Sequence, residues 1–200
     1  MTLEQFFAEN SRVALAFSGG VDSAYLLYAA QKAGAQVRAY YVKTEFQPEF
    51  EYQDAMKLAQ LLDAPVRVLR LNALEDAMVA DNTGNRCYYC KRHIFEAIWQ
   101  AARADGFSVL LDGTNASDQV ADRPGIRALR ELEVRSPLRE AGLTKAMIRE
   151  ASREAGLFTW DKPAYACLAT RIPTGMTITR ENLERTQWAE DYLRGLGFRD

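Results

Sequence analysis

Residues 12–34 read RVALAFSGGVDSAYLLYAAQKAG, and this stretch carries the prediction of the fold. Residues 12–17 form a short apolar run that ends at two glycines, which is typical of a buried strand. Residues 22–33 favour a helix with an apolar face, and Gly34 ends it. The six residues Ser18-Gly19-Gly20-Val21-Asp22-Ser23 therefore join a strand to the start of a helix.

This turn has the features of a phosphate-binding loop. Its two glycines allow a sharp turn and a close approach to a ligand, and the first N–H groups of the helix attract an anion. The hydroxyls of Ser18 and Ser23 can donate to phosphate oxygens. Asp22 would repel a bare phosphate, so we expect it to hold a Mg²⁺ ion that bridges the phosphates. The alternative is a plain turn with an Asp or Ser helix cap.

Two common nucleotide loops are excluded by the residues themselves. No G-K-[ST] follows the glycines, as a Walker A loop requires. No G-x-G-x-x-G is present either, so the loop is not that of a Rossmann dinucleotide-binding protein.

The rest of the chain alternates between strand and helix patterns. Strands are predicted at 36–42, 66–71 and 108–111, with 133–138 as a candidate fifth strand, and helices at 49–62, 87–104 and 144–155, the last capped by Thr144. Such alternation predicts an α/β fold, a Rossmann-like parallel sheet with helices on both faces. Ligands of these sheets bind beyond the carboxyl ends of the strands, so we expect loops 18–23, 43–47 and 112–124 to lie together.

Composition limits the class of protein. The chain has 200 residues, 48% of them hydrophobic and 26% charged, which is ordinary for a globular domain of this size. A formal net charge of -2 argues against a large nucleic-acid surface. The N-terminus has no signal-peptide pattern, and no apolar run is long enough to span a membrane. We therefore expect a cytoplasmic protein with neither nucleic acid nor membrane as partner.

With these residues in view, SGGVDS resembles the PP-loop of the ATP pyrophosphatases, a group that includes GMP synthetase, NAD synthetase and several tRNA-modifying enzymes. The resemblance implies cleavage of ATP between its α and β phosphates, departure of pyrophosphate with Mg²⁺, and an adenylated intermediate. It also implies that the nucleotide is bound by all six residues of the loop and by Asp112, Gly113 and Thr114 after the fourth strand.

Three further stretches narrow the resemblance to the LarE family. They are NTGNRCYYCKRHIF (82–95), LDGTNASDQVADRPG (111–125) and KPAYACLATRIPTG (162–175). The resemblance implies a sulfur transferase of nickel-pincer nucleotide biosynthesis. ATP adenylates a carboxylate of pyridinium biscarboxylic acid mononucleotide, and sulfur displaces AMP to give a thiocarboxylate. Lys91 and Arg171 match basic positions of the family, where each could hold a phosphate of ATP or substrate, and Arg171 is expected to act in catalysis; the alternative for both is a solvated surface charge. Arg123 lies in a family stretch and is expected either to contact the nucleotide substrate or to stabilise its loop.

The source of the sulfur depends on the cysteines Cys87, Cys90 and Cys167. The LarE family contains proteins that sacrifice one cysteine and others whose three cysteines hold a four-iron–four-sulfur cluster. The pattern here is similar to the three-cysteine type, so the three are assigned as catalytic and as cluster ligands. Alternatives are plain buried cysteines, a Cys87–Cys90 disulfide, and a zinc site completed by His93, the single histidine of the chain.

The end of the chain suggests a second unit. Residues 157–178 show no period, and a loop of this length is usually functional. Residues 179–196 form an amphipathic helix, after which the chain stops. We predict a PP-loop domain over 1–176 and, at 177–200, a helix that leads into a truncated C-terminal domain through which the protein forms homo-oligomers. A sulfur donor system is the other expected partner.

Two other functions stay open at this point. One is a PP-loop enzyme that inserts sulfur into tRNA, and the other is a nucleotide-binding protein without catalytic activity. The tRNA enzyme is less favoured because such enzymes usually add RNA-binding domains, zinc modules or basic surfaces, and the sequence shows none of these. The non-catalytic protein is less favoured because Asp22 is present and a basic residue lies beside each cysteine site.

Overall fold

The computed structural model describes residues 1–118 and 124–198. Four parallel strands form one sheet: β1 (Arg12–Ala16), β2 (Gln36–Lys43), β3 (Val66–Arg70) and β4 (Leu110–Leu111). Their order across the sheet is β3-β2-β1-β4. The chain therefore moves outward from β1 to β3 and then returns to the other side of β1. The predicted α/β class with a parallel sheet is confirmed.

This order decides where a ligand can bind. The direction of winding reverses between β1 and β4, which leaves a crevice beyond their carboxyl ends. The loop that follows β1 holds residues 18–23, and the loop that follows β4 begins at Asp112. Both predicted nucleotide loops thus lie at the point where the sheet changes direction.

Helices cover both faces of the sheet. One apolar layer joins β1 and β2 to residues such as Phe6, Leu26, Ala55 and Ile148. The other joins β1 and β2 to residues of the long helix 86–104, including Ile98. The helices are α1 (Leu3–Glu9), α2 (Val21–Lys32), α3 (Glu49–Leu61), α4 (Ala77–Ala80), α5 (Arg86–Ala104), α6 (Pro124–Glu131), α7 (Pro137–Glu140), α8 (Lys145–Glu154) and α9 (Arg180–Gly195).

The candidate fifth strand at 133–138 is wrong. Only Arg135 makes an isolated parallel bridge, to Leu111, and α7 begins at Pro137. Proline fixes φ and lacks an N–H, so it suits the first turn of a helix better than a central strand. Helix α1 was not predicted, although Thr2 and Gln5 form a capping box that is readable in the sequence as T-x-x-Q.

Residues 157–178 are packed rather than structureless. Leu168, Ala169 and Ile172, in and beside the 3₁₀ turn Leu168–Arg171, join Phe46 and Leu183 in a third apolar cluster. The backbone N–H of Leu168 also donates to the carbonyl of Phe46 at 2.9 Å. This segment is therefore held against the loop that follows β2.

Helix α9 begins at the capping box of Thr179 and buries Leu183. Further along, its large apolar side chains are exposed, with Trp188 at 71% and Tyr192 at 59%. The division into domains at 176 stays a prediction. Within the described residues, no helix is both long and apolar enough to cross a membrane.

Asp105 links α5 to the strands at the end of the sheet away from the phosphate loop. Its carboxylate accepts hydrogen bonds from the Tyr40 hydroxyl (2.7 Å) and from Arg67 Nη1 (3.0 Å), and Arg38 Nη1 lies 3.0 Å away. These contacts, the Tyr40 hydrogen bond first, lower the pKa of Asp105 to about 2. Asp105 thus ties α5 to β2 and β3.

Candidate active site

The phosphate loop is shaped by close packing against α3. Gly19 has φ +76°, and a Cβ atom built there would lie 2.6 Å from the Cβ of Ala55. Only glycine meets both demands without strain. Gly20 then serves as the N-cap of α2 in extended conformation, and Val21, 4% exposed, anchors the loop in the core.

The two loop serines hold the backbone in place. Ser18 Oγ and Ser23 Oγ lie 3.1 Å apart, and the Ser18 N–H donates to Ser23 Oγ at 3.3 Å. Ser23 also donates to the Gly20 carbonyl at 3.2 Å. The loop is thereby formed before any ligand arrives, with the helix N-terminus facing the crevice.

Asp22 lies between two partners from distant parts of the chain. Its carboxylate forms an ion pair with Lys145 and accepts a hydrogen bond of 3.3 Å from Asn115 Nδ2. Lys145 is the first residue of α8, where the helix dipole disfavours a cation. We did not single out Lys145 from the sequence. A lysine directly after the Thr144 N-cap was the available signal, because such a position calls for a nearby anion.

The loop after β4 packs directly on the phosphate loop. A Cβ atom built on Gly113 would lie 3.1 Å from the backbone nitrogen of Ser23. Asp112 is buried and accepts from Ser136 Oγ at 2.6 Å and from the hydroxyl of Thr114. Asp112 and Thr114 therefore fix the loop's shape, and their predicted contact with nucleotide stays a prediction.

A cavity of about 490 Å³ opens beyond these loops. This volume suits a nucleotide-sized ligand. Phosphate-loop residues form its floor, and Ile94, Phe95 and Ile98 of α5 give it an apolar wall. Among the described residues, the basic side chains that line it are Lys91, Lys145, Arg149 and Lys162. Only Lys91 was singled out from the sequence. Cys167 lines the same cavity.

The three cysteines are brought together by a residue that sequence reasoning missed. Arg86 is buried; its Nη2 lies 3.7 Å from Cys87 Sγ, and its Nη1 donates to the Ala169 carbonyl at 2.7 Å. Arg86 thus links the start of α5 to the segment that follows Cys167. The flanking basic residue in NRCYYCK was the signal in the sequence.

The thiols differ in exposure. Cys87 is exposed, whereas Cys90 and Cys167 are half-buried and pack beside the third apolar cluster. Burial, followed by the neighbouring Cys167 and Cys87, raises the pKa of Cys90 to about 12. Burial also raises the pKa of Cys167. All three cysteines are free, so the Cys87–Cys90 disulfide is not formed.

Zinc is not favoured by the donor geometry. His93 Nδ1 faces Asp76 Oδ2 at 3.9 Å, on the side of α4. In the described part of the chain, no three His, Cys, Asp or Glu side chains converge on the position of one metal ion. A cubane cluster differs from a single ion, because each thiolate binds a different iron and the ligands lie further apart.

Of the predicted basic residues that the structure describes, Arg171 lies outside the cavity wall and Lys91 lies in it. Arg171 donates to Glu190 Oε1 (2.6 Å) and to the Ala166 carbonyl (2.9 Å), and it is not part of the cavity wall. Arg123 lies outside the described residues. Lys91 does line the cavity, with its stem against Gly125.

Comparison with known proteins finds relatives that match almost the whole chain. The family model described as the tRNA methyl transferase HUP domain matches residues 11–135. An uncharacterised protein of Synechocystis is 39% identical over 198 residues, 98% of this chain and 74% of that protein. The pyridinium-3,5-bisthiocarboxylic acid mononucleotide synthase of Lactiplantibacillus plantarum is 35% identical over 199 residues, 98% of this chain and 72% of the synthase.

Among solved structures, the NH3-dependent NAD synthetase of Campylobacter jejuni superposes with a TM-score of 0.64 and 19% identity, covering 82% of this chain and 76% of that chain. This likeness shows the fold alone. The mononucleotide synthase aligns with almost the whole chain, including the phosphate loop and the segment with Cys167. The chain therefore belongs to the LarE family of PP-loop, ATP-using enzymes.

Proposed function

We propose that this protein is an ATP-dependent sulfur transferase that converts a carboxylate of pyridinium-3,5-biscarboxylic acid mononucleotide into a thiocarboxylate. One observation carries the proposal: Cys167 lies in the wall of the cavity whose floor is the phosphate loop. An activated carboxylate and a sulfur source could therefore meet in one enclosure. The name of the Lactiplantibacillus plantarum relative gives the product, a pyridinium bisthiocarboxylic acid mononucleotide, and the corresponding biscarboxylic acid is the substrate that we infer from it.

The reaction needs two steps because a carboxylate is a poor electrophile. A carboxylate oxygen first attacks the α-phosphorus of ATP, and the bond to the β-phosphate breaks to release pyrophosphate. Sulfide then attacks the acyl carbon of the adenylate, and AMP leaves as a good leaving group with the bond's electron pair. A thiolate or sulfide is a strong nucleophile near neutral pH.

The phosphate loop serves the first step. The N–H groups at the start of α2 and the hydroxyls of Ser18 and Ser23 would bind the phosphates that leave. Asp22 would hold the Mg²⁺ ion, which when bound neutralises the charge of the pyrophosphate. Lys145, the ion-pair partner of Asp22 in this structure, would be available to bind the phosphates when Asp22 holds the metal.

Cys87, Cys90 and Cys167 would hold the iron–sulfur cluster, which when bound supplies sulfide through the one iron that no cysteine ligates. The donor set fits this group. It consists of three neighbouring thiols, of which Cys87 and Cys167 contribute to the raised pKa of Cys90, and Arg86 beside them offsets the negative charge of a thiolate cluster. A sulfur donor would have to restore the sulfide after each cycle, and we place this chemistry in the cytoplasm.

The first experiment is anaerobic purification with analysis of iron, acid-labile sulfide and zinc. We expect about four irons and four sulfides per chain. The protein is then incubated with ATP, Mg²⁺ and sulfide, and with either the pyridinium mononucleotide or tRNA. AMP, pyrophosphate and a thiocarboxylate are expected with the mononucleotide only. Zinc without iron would contradict the cluster, and AMP formed only with tRNA would contradict the substrate.

The variant Cys167→Ser separates the two steps. We expect it to release pyrophosphate at close to the normal rate, because the phosphate loop is intact, while thiocarboxylate formation is lost. Mass spectrometry of the wild-type protein after turnover provides the control for a sacrificial cysteine. A chain that has lost the mass of one H₂S would show that the sulfur comes from the protein itself.

A further inference from the structure

The wall of the cavity contains an unusual group of polar atoms without partners. Among the described residues, five buried side-chain nitrogen or oxygen atoms lack a hydrogen bond. Three of the five belong to residues that line the cavity, namely Tyr41 Oη, Glu51 Oε1 and Lys162 Nζ. Folded proteins leave few such atoms, because each costs the full desolvation of the group. Their concentration in one wall points to a ligand.

The three residues lie next to one another. Lys162 Nζ is 3.2 Å from Glu51 Oε2 and 2.9 Å from Asp54 Oδ2, at angles that make neither contact a hydrogen bond. The side chains of Glu51 and Lys162 are each 13% exposed, and Tyr41 is 2% exposed. The ring of Tyr41 contacts that of Tyr52, the residue that follows Glu51 on α3, with ring centroids 5.4 Å apart. Burial, followed by the charge of Glu51, raises the pKa of the Tyr41 hydroxyl.

This wall is held firmly beside the phosphate loop. Glu51 lies one turn before Ala55 on α3, and Ala55 is the residue that packs against Gly19. On the opposite side, Arg149 donates to the Lys162 carbonyl at 2.8 Å and to the Trp160 carbonyl at 2.6 Å. Glu51 therefore belongs to the helix that packs against the phosphate loop, and Lys162 meets it from the segment that Arg149 holds in place.

Hydrogen-bonding needs decide which ligand group fits. Glu51 Oε1 is an acceptor without a donor, and an ionised phosphate offers only acceptors, so a phosphate does not satisfy it. Lys162 Nζ is ion-paired with Glu51 and Asp54 but has no aligned acceptor, and the Tyr41 hydroxyl can serve as donor or acceptor. Neighbouring hydroxyl groups on one sugar meet all these needs at once.

We propose that Tyr41, Glu51 and Lys162 form a binding site for a ribose diol. The inference rests on the proposed function, in which ATP and the mononucleotide both carry a ribose. The site binds one of these two riboses through its 2′- and 3′-hydroxyls. It adds a second anchor to the phosphate loop and selects ribonucleotides over deoxynucleotides.

The first test is Tyr41→Phe, with Tyr25→Phe on α2 as the matched control outside the cavity. Binding of ATP, 2′-deoxy-ATP and 3′-deoxy-ATP with Mg²⁺ is measured by calorimetry on the purified protein. If the ATP ribose occupies the site, Tyr41→Phe weakens ATP binding by roughly 2- to 12-fold, the value of one neutral hydrogen bond. At least one of the two deoxynucleotides then binds the wild type and Tyr41→Phe with equal affinity.

A second set of binding measurements tests whether the site binds the ribose of the pyridinium mononucleotide instead. Binding of the pyridinium mononucleotide is measured in the presence of α,β-methylene-ATP, with Tyr41→Phe and with Glu51→Gln. Weakening of the mononucleotide alone assigns the site to the ribose of the substrate. Glu51→Gln is expected to weaken the same nucleotide by roughly 10- to 150-fold, because the bond it loses is to a charged acceptor.

Stability gives an independent check that the variants fold. Tyr41→Phe removes a buried hydroxyl that has no partner, so its thermal midpoint should equal or exceed that of the wild type. Unchanged binding of both ribonucleotides in Tyr41→Phe and Glu51→Gln would overturn the proposal. An equal loss of affinity for ATP, 2′-deoxy-ATP and 3′-deoxy-ATP in the variants, with binding of the mononucleotide unchanged, would also overturn it. Absence of pyrophosphate release from the wild type would instead contradict the proposed function. The difference in binding between ATP and the deoxynucleotides could still be measured in that case.

Discussion

Gly19→Ala tests the geometry of the phosphate loop. The new Cβ would lie 2.6 Å from the Cβ and 2.8 Å from the Cα of Ala55, and backbone atoms of α3 cannot give way cheaply. The φ of +76° adds the cost of a left-handed conformation, about 1–2 kcal/mol. Overpacking adds about 1–3 kcal/mol. We therefore expect a loss of roughly 2–5 kcal/mol in the free energy of unfolding.

Two other glycines separate these contributions. Gly34 has φ +75° and open space around its Cβ position, so Gly34→Ala should lose only the conformational part, about 1–2 kcal/mol. Gly20 has φ -77° and its nearest atom, Ser18 Oγ, is 3.5 Å away, so Gly20→Ala should lose only the preference of the N-cap position for glycine over alanine, about 0.5–1 kcal/mol.

Urea denaturation of the three variants gives the free energies, and pyrophosphate release from ATP reports on the loop itself. At about 2–4 °C per kcal/mol, Gly19→Ala should also lower the melting temperature by roughly 4–20 °C. Its pyrophosphate release should fall further than its folded fraction, because α2 can no longer start at the same place. Equal stability of Gly19→Ala and Gly20→Ala would refute the packing argument.

Three more predictions follow from the site and the sheet. Asp22→Asn should lower pyrophosphate release by about 100-fold or more and raise the Mg²⁺ concentration at half-maximal rate; an unchanged Mg²⁺ titration would speak against its role as a ligand. In metal-free protein at pH 8, iodoacetamide should modify exposed Cys87 well before Cys90, whose pKa of about 12 leaves about one thiolate in 10⁴, and mass spectrometry of the peptides would show the order. Asp105→Asn should unfold at lower urea concentration than the wild type at pH 7, and this difference should shrink as the pH falls from about 4 to about 2, because the folded-state pKa of Asp105 is lowered; a difference independent of pH would contradict the ion pairing.

Local features of the fold could be predicted from the sequence because their causes are local. The apolar run before Ser18 and the glycines after it define a strand and a turn whatever the rest of the chain does. Thr144 caps α8 through its own side chain, which accepts from the backbone of Met147. The end of β4 and the region around Pro137 were harder, because two residues of strand and one isolated bridge leave almost no periodic signal.

The phosphate loop and the cysteine pattern were determined by the sequence itself, since each is a short run of particular residue types. Only the tertiary structure decided which distant polar groups come into contact. Asp22 and Lys145 are 123 positions apart, and Arg86 and Ala169 are 83 apart, yet both pairs are in contact. Parallel strands need long crossovers, so their carboxyl ends gather residues from distant segments, and no local pattern records which side chains arrive there.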